Sequence, residues 1–160
     1  MKDLPVRKTA RLKNYDYSSA GCYFITICVK DRHEILWDPA PVGARIARPL
    51  LSETGIIVET AIKKIPLIYP GIDIDRYVVM PNHVHMILII RENHGRAMRA
   101  PTISRVINQM KGYATKQIGY SIWQKLFHDR IIRDEDEYRR IWLYIDENPA
   151  RWAEDEYFVK

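Results

Sequence analysis

Residues 72–90 read IDIDRYVVMPNHVHMILII, and the way this stretch divides decides the fold. Pro81-Asn82 splits it into two apolar runs, 72–80 and 83–90, rich in the β-branched residues that suit a pleated strand. A proline-asparagine pair favours a turn or a break in pairing, so the runs are expected as adjacent antiparallel strands. His83 and His85 stand at i and i+2 of the second run and point to one face of it. Val84, Met86 and Leu88 take the opposite face and can pack into a core.

Upstream, residues 23–29 (YFITICV) are dense in aromatic and β-branched side chains and read as a first strand. Residues 38–49 carry three of the nine prolines and read as a loop. Ile57, Ala61 and Ile65 recur at helical spacing over 52–65, with Ser52 as N-cap and Pro66 as stop. Downstream, 93–101 is a polar, basic loop, and Thr102 caps a second helix that ends near Gly119. Its apolar stripe is Ile103, Val106, Ile107, Met110 and Ala114; Arg105, Lys111 and Lys116 fall on the other face. Residues 129–133 read as a fourth strand, and Asp134 followed by Glu137 starts a third helix that Pro149 should end.

The order β-α-β-β-α-β-α predicts an α+β fold of ferredoxin-like, RRM-like type. It consists of a four-stranded antiparallel sheet with helices packed on one face, plus an appended C-terminal helix. With 160 residues, one domain is expected over 1–160, opened by a basic leader at 1–14. A formal charge of +5 and a pI of 9.2 favour an anionic partner. The cations cluster, with Arg7, Lys8, Arg11 and Lys13 in the leader and Arg96, Arg99 and Arg105 in a second stretch. Cys22 and Cys28 share the first strand, where six residues span roughly 20 Å, so free thiols are expected, as in a reducing cytoplasm. No apolar run reaches the roughly 20 residues of a membrane span, which points to a soluble, intracellular protein.

Two places could carry chemistry. The first is His83-Val84-His85, whose imidazoles can reach one ion; alone, the pair reads more readily as satisfied or surface histidines. The second is the third helix, whose core stripe is Tyr138, Ile141, Trp142 and Ile145. Tyr144 lies roughly 110° from the centre of that stripe, and Asn148 follows one turn later on the same shoulder. Together they could set a phenol and an amide oxygen beside one metal. Alone, Tyr144 reads as a half-buried tyrosine with a wet tip.

As an ordered set, the motifs resemble the REP-associated tyrosine transposases, a branch of the single-tyrosine HUH transposases. The resemblance is carried by Gly21-Cys22-Tyr23-Phe24-Ile25-Thr26, Met80-Pro81-Asn82-His83-Val84-His85 and Trp123-Gln124 before Phe127. It continues through Ile132-Arg133-Asp134-Glu135 and Tyr144 to Asn148-Pro149, and spans about residues 8–155. It implies a metal site at His83 and His85 completed by Asn148, and a nucleophile at Tyr144, with Tyr113 as the rival. It further implies Mg²⁺ or Mn²⁺, and a 5′-phosphotyrosine intermediate with no nucleotide cofactor. The implied partner is single-stranded DNA folded as a hairpin, a repetitive extragenic palindrome, whose backbone Arg7, Lys8, Arg11, Lys13, Arg96, Arg99, Arg105 and Lys111 would hold. A monomer is favoured over a dimer, and the activity is expected in a bacterial cytoplasm, at the nucleoid. Two alternatives stay open: a non-catalytic RRM-like regulator that binds nucleic acid, and an HUH relaxase or replication initiator. Against the first, residues 83–90 contain no aromatic base-stacking ring.

Overall fold

Pro81 and Asn82 do separate two antiparallel strands. In a computed structural model, which describes residues 15–39, 50–92 and 101–159, the elements follow in the expected order. They are β1 (Gly21–Cys28), α1 (Glu53–Ile68), β2 (Ile72–Val79), β3 (His83–Ile90), α2 (Ile103–Ile118), β4 (His128–Ile132) and α3 (Glu135–Glu147). Short 3-10 segments cover Lys30–Arg32 and Asn148–Glu154. The leader at 1–14, residues 40–49 of the proline-rich loop and residues 93–100 of the basic loop lie outside the described residues.

The sheet order is β2-β3-β1-β4, antiparallel throughout, so β1 and β3 are central. Tyr23, Ile25 and Ile27 of β1 and Val84, Met86 and Leu88 of β3 face α1 and α2, meeting Val58, Ile62, Val106 and Ile107 in one core. Each such burial contributes about 1.5–3 kcal/mol relative to exposure.

Helices α1 and α2 share one face of the sheet, as the ferredoxin-like reading expects, a reading that leaves the face of the appended helix open. Helix α3 packs against β2 and β3 on the other face. The physical reason lies in β3, whose alternate residues His83, His85 and Ile87 are also fully buried and need a cover. A register shift in β2 between Ile74 and Arg76 helps to dock that helix. A bulge lets neighbouring side chains turn the same way. Asp75 accepts a hydrogen bond from the Tyr138 hydroxyl, while Arg76 pairs with Asp146 and lies 4.4 Å over the Trp142 ring. Of the expected stripe on α3, only Ile145 is fully buried; Tyr138, Ile141 and Trp142 are half-buried at the sheet's edge.

Caps fall where the sequence puts them. Ser52, Thr102 and Asp134 accept from the backbone N–H of Gly55, Arg105 and Glu137, and Gly119 ends α2 at φ 95°, a left-handed conformation suited to glycine. One proline stop needs adjusting. Pro66 lies inside α1, which runs on to Ile68, because near the end of a helix its missing N–H forfeits a single bond. Pro149 follows the end of α3 but sits at the start of a 3-10 segment, so the chain keeps coiling back over the sheet.

Gly55 fixes how α1 meets the rest of the chain. A Cβ there would stand 2.1 Å from the Leu36 carbonyl oxygen, which itself accepts from the Ser52 N–H at 3.0 Å. Gly55→Ala is therefore expected to lower stability by about 1–3 kcal/mol, the usual cost of overpacking, read as a reduced urea midpoint.

Candidate active site

Alternation along β3 carries His83 and His85 to the α3 face, as the spacing predicts, and pairing with β1 sets their neighbours. Thr26 lies directly opposite His85, and its Oγ1 is 2.8 Å from His85 Nδ1. The Phe24 ring stacks on the same imidazole at 5.2 Å. With Nδ1 engaged and the ring held, His85 presents Nε2 to the hydroxyl of Tyr144 at 3.3 Å.

His83 is oriented by its neighbour. The Asn82 amide nitrogen donates to the carbonyls of Arg32 at 3.2 Å and Tyr157 at 2.8 Å. Its oxygen is thereby turned to His83 Nδ1, 2.8 Å away, which must carry the proton. Nε2 is left as a bare lone pair, buried and without a hydrogen-bond partner. Tyr157 and Trp152 close this side, with ring centroids 4.4 and 5.9 Å from that of His83.

Burial, helped by Arg32 beside His83 and by His83 beside His85, pushes both imidazoles down to about 3. Both are neutral at pH 7, the form that binds a cation. Tyr144 is pushed the other way, up to about 12, by burial and the negative charge of Asp155, while a hydrogen bond from Asn148 opposes the rise. Its ring meets Phe24 and His85, yet the residue stays 40% exposed, so the hydroxyl sits at the mouth of the site.

Asn148, at the end of α3, is 4% exposed, and its Oδ1 has no partner. The ligating atoms of His83, His85 and Asp155 lie within 4.8 Å of one another. The unpartnered lone pair of His83 beside a second imidazole and a carboxylate forms a donor set suited to a divalent cation, and a hydrogen bond to Tyr144 ties the Asn148 side chain to the same site. Asp155 is the residue that sequence reasoning missed. It accepts from the Tyr144 hydroxyl at 3.4 Å and lies beyond Pro149, where helical periodicity no longer locates a side chain. Asn82, Thr26 and Tyr157 were also missed as orienting groups.

Of the remaining expected residues, the described ones are not gathered here. Tyr113 is on α2, across the sheet, packed against the core with the Lys64 ammonium 4.6 Å from its ring. Arg105 is exposed on α2. Lys111, expected on an exposed basic face, is corrected: it is 8% exposed, and its ammonium donates to the Gln124 carbonyl at 2.7 Å and that of Lys125 at 3.4 Å. It braces the Trp123-Gln124 stretch, which returns to bond the end of β1 at Cys28, and is withdrawn as a DNA contact. Arg7, Lys8, Arg11, Lys13, Arg96 and Arg99 lie outside the described residues. Cys22 and Cys28 are free thiols, and no helix among the described residues is long and apolar enough to cross a membrane.

No family model matches the chain. It is 34% identical over 174 residues to an uncharacterized protein of Haemophilus influenzae, covering 96% of this chain and 93% of that one. Among solved structures, it superposes on a REP-associated tyrosine transposase bound to a REP hairpin, with a TM-score of 0.65 and 24% identity over 89% of this chain and 74% of the other. A candidate transposase from Deinococcus radiodurans shares the fold at a TM-score of 0.50 and 18% identity, over 86% and 95% of the two chains. The family that the ordered motifs resemble is thus also one whose solved structure carries this fold.

Proposed function

We propose, for a chain that belongs to one family with the Haemophilus influenzae protein and has the fold of a REP-associated tyrosine transposase, that it cuts and rejoins single-stranded DNA with Tyr144 as nucleophile. The observation that carries this reading is the Tyr144 hydroxyl, 3.3 Å from Nε2 of a buried, neutral His85. A phenol in that position has a role that packing alone does not require.

His83, His85 and Asn148 would hold a divalent cation, Mg²⁺ or Mn²⁺ by the family resemblance, which when bound supplies positive charge to the scissile phosphate. The chain's own part is to place the nucleophile and fix the ligands. Thr26 and Asn82 hold the two imidazole planes, Phe24 packs against Tyr144, and α3 sets the phenol at the mouth of the site. Tyr144 oxygen attacks phosphorus; the O–P bond forms as the bond from phosphorus to the 3′ oxygen breaks. The phenol loses its proton, the departing oxygen takes one up as a 3′-hydroxyl, and a 5′-phosphotyrosine link remains. Because that link keeps the energy of the broken phosphodiester, rejoining needs no nucleotide cofactor.

One feature favours this reading over a binding module. An RRM-like module needs an open sheet face on which bases stack, whereas α3 covers that face here. His83, His85 and Tyr144 come from one chain, so a monomer suffices for a complete site.

By analogy with the hairpin-bound relative, the substrate is a single-stranded palindromic hairpin. Arg7, Lys8, Arg11 and Lys13, with Arg96, Arg99 and Arg105, would hold its phosphates. Deleting residues 1–13 should weaken hairpin binding and flatten its salt dependence by about 0.7–0.9 log units per phosphate contact removed. An unchanged affinity and slope would remove the leader from the interface. The reading as a whole is tested by incubating the protein with a single-stranded hairpin and Mn²⁺. An adduct that survives denaturing electrophoresis is expected, and its absence on every palindromic substrate would favour a binding role.

A further inference from the structure

We propose that Asp155 is a protein ligand of the divalent cation, and that the cation thereby fastens the segment after α3 to the central strand β3. The inference rests on the metal-dependent reading above and adds a residue to it; neither the histidine motif nor the family resemblance points past Asn148.

Three observations carry it. The Asp155 carboxylate lies within 4.8 Å of the ligating atoms of both histidines. Its position is built rather than incidental: the Asp155 N–H closes the 3-10 segment on the Trp152 carbonyl at 3.1 Å, and its Oδ1 accepts from the Tyr157 N–H at 2.7 Å. That leaves Oδ2 with a long 3.4 Å contact to the Tyr144 hydroxyl, free to take a better partner. Independently, His83 is fully buried with Nε2 unpartnered, its other nitrogen being held by Asn82.

Charge supplies the reason for a carboxylate. An imidazole that ligates through its lone pair carries no charge, and neither does an amide; a cation buried among such ligands would keep its full charge, which a desolvated site does not tolerate. Asp155 offsets part of it, and a carboxylate oxygen shifts the set towards hard cations such as Mg²⁺ and Mn²⁺. Since the ligands come from β3 and from beyond α3, cation binding also becomes local stability of the chain around 148–157.

The test uses the full chain and the metal alone. Mn²⁺ binding is followed by calorimetry for the wild type, Asp155→Asn and Glu154→Gln, the last an exposed neighbour. Asp155→Asn should bind about tenfold more weakly or worse, with Glu154→Gln matching the wild type. In parallel, hydrogen exchange read by mass spectrometry should show Mg²⁺ slowing exchange over residues 148–157 in the wild type. Asp155→Asn binding as tightly as the wild type, or wild-type exchange indifferent to the cation, would overturn the assignment. The exchange arm needs no variant, so a misfolded Asp155→Asn does not rescue it. A wild type that binds no cation would instead bring down the metal-dependent function as a whole.

Discussion

Tyr144→Phe is expected to abolish the covalent protein–DNA adduct and to slow strand cleavage by about 10⁴-fold or more, the scale on which losing a nucleophile acts. The substitution removes one oxygen and leaves the ring against Phe24 and His85. That oxygen is only loosely held, 3.3 Å from His85 and 3.4 Å from Asp155, and the residue is 40% exposed. Stability should therefore change by less than about 1 kcal/mol, and hairpin binding should persist. Tyr113→Phe provides the contrast, because Tyr113 sits across the sheet beneath Lys64 and should leave cleavage intact. An adduct that survives Tyr144→Phe and vanishes with Tyr113→Phe would reverse the assignment.

The second large effect is expected at His83. Alanine there would empty a fully buried site and release Asn82, costing about 2–4 kcal/mol through the cavity alone, so lost activity would be ambiguous. His83→Gln keeps most of the volume and a polar group but removes the imidazole lone pair. It should reduce Mn²⁺-dependent cutting by about 10²-fold or more while hairpin affinity stays within a few-fold, because phosphate contacts elsewhere carry binding. Cutting that survives with unchanged Mn²⁺ dependence would remove His83 from the metal site.

Much of the fold is legible in the amino-acid sequence, because its signals are local. Alternation in 72–90, the caps at Ser52, Thr102 and Asp134, and Gly119 each act within a few residues, and every element they bound is present. The side of the sheet taken by α3 is a long-range matter. One clue was present: beyond His85 the run 86–90 is apolar on both faces, the mark of a strand buried on both sides, but the two histidines gave one face a functional look instead. Lys111 was misread rather than out of reach. One turn after Ile107 and three residues before Ala114, it falls on the flank of the apolar stripe, and the chain returns at Gln124 and Lys125 to bond its ammonium.

The candidate site was legible unevenly. Geometry placed His83 with His85 and Tyr144 one turn before Asn148, but only the ordered motifs joined the two pairs. The structure adds what lies between them: the 3.3 Å approach of phenol to imidazole, and the buried lone pairs of His83 and Asn148. Asp155 was out of reach, since the path from Asn148 runs through a proline and a kinked 3-10 segment whose direction no periodicity describes.

The central claim is that one tyrosine joins this chain to DNA, and peptide mapping tests it directly. The wild type is trapped on a single-stranded hairpin with Mn²⁺, digested with protease and nuclease, and analysed by mass spectrometry. A nucleotide phosphate on the peptide containing Tyr144 is the predicted result. A modification on Tyr113 or another residue, or cleavage that leaves no modified peptide, would contradict it.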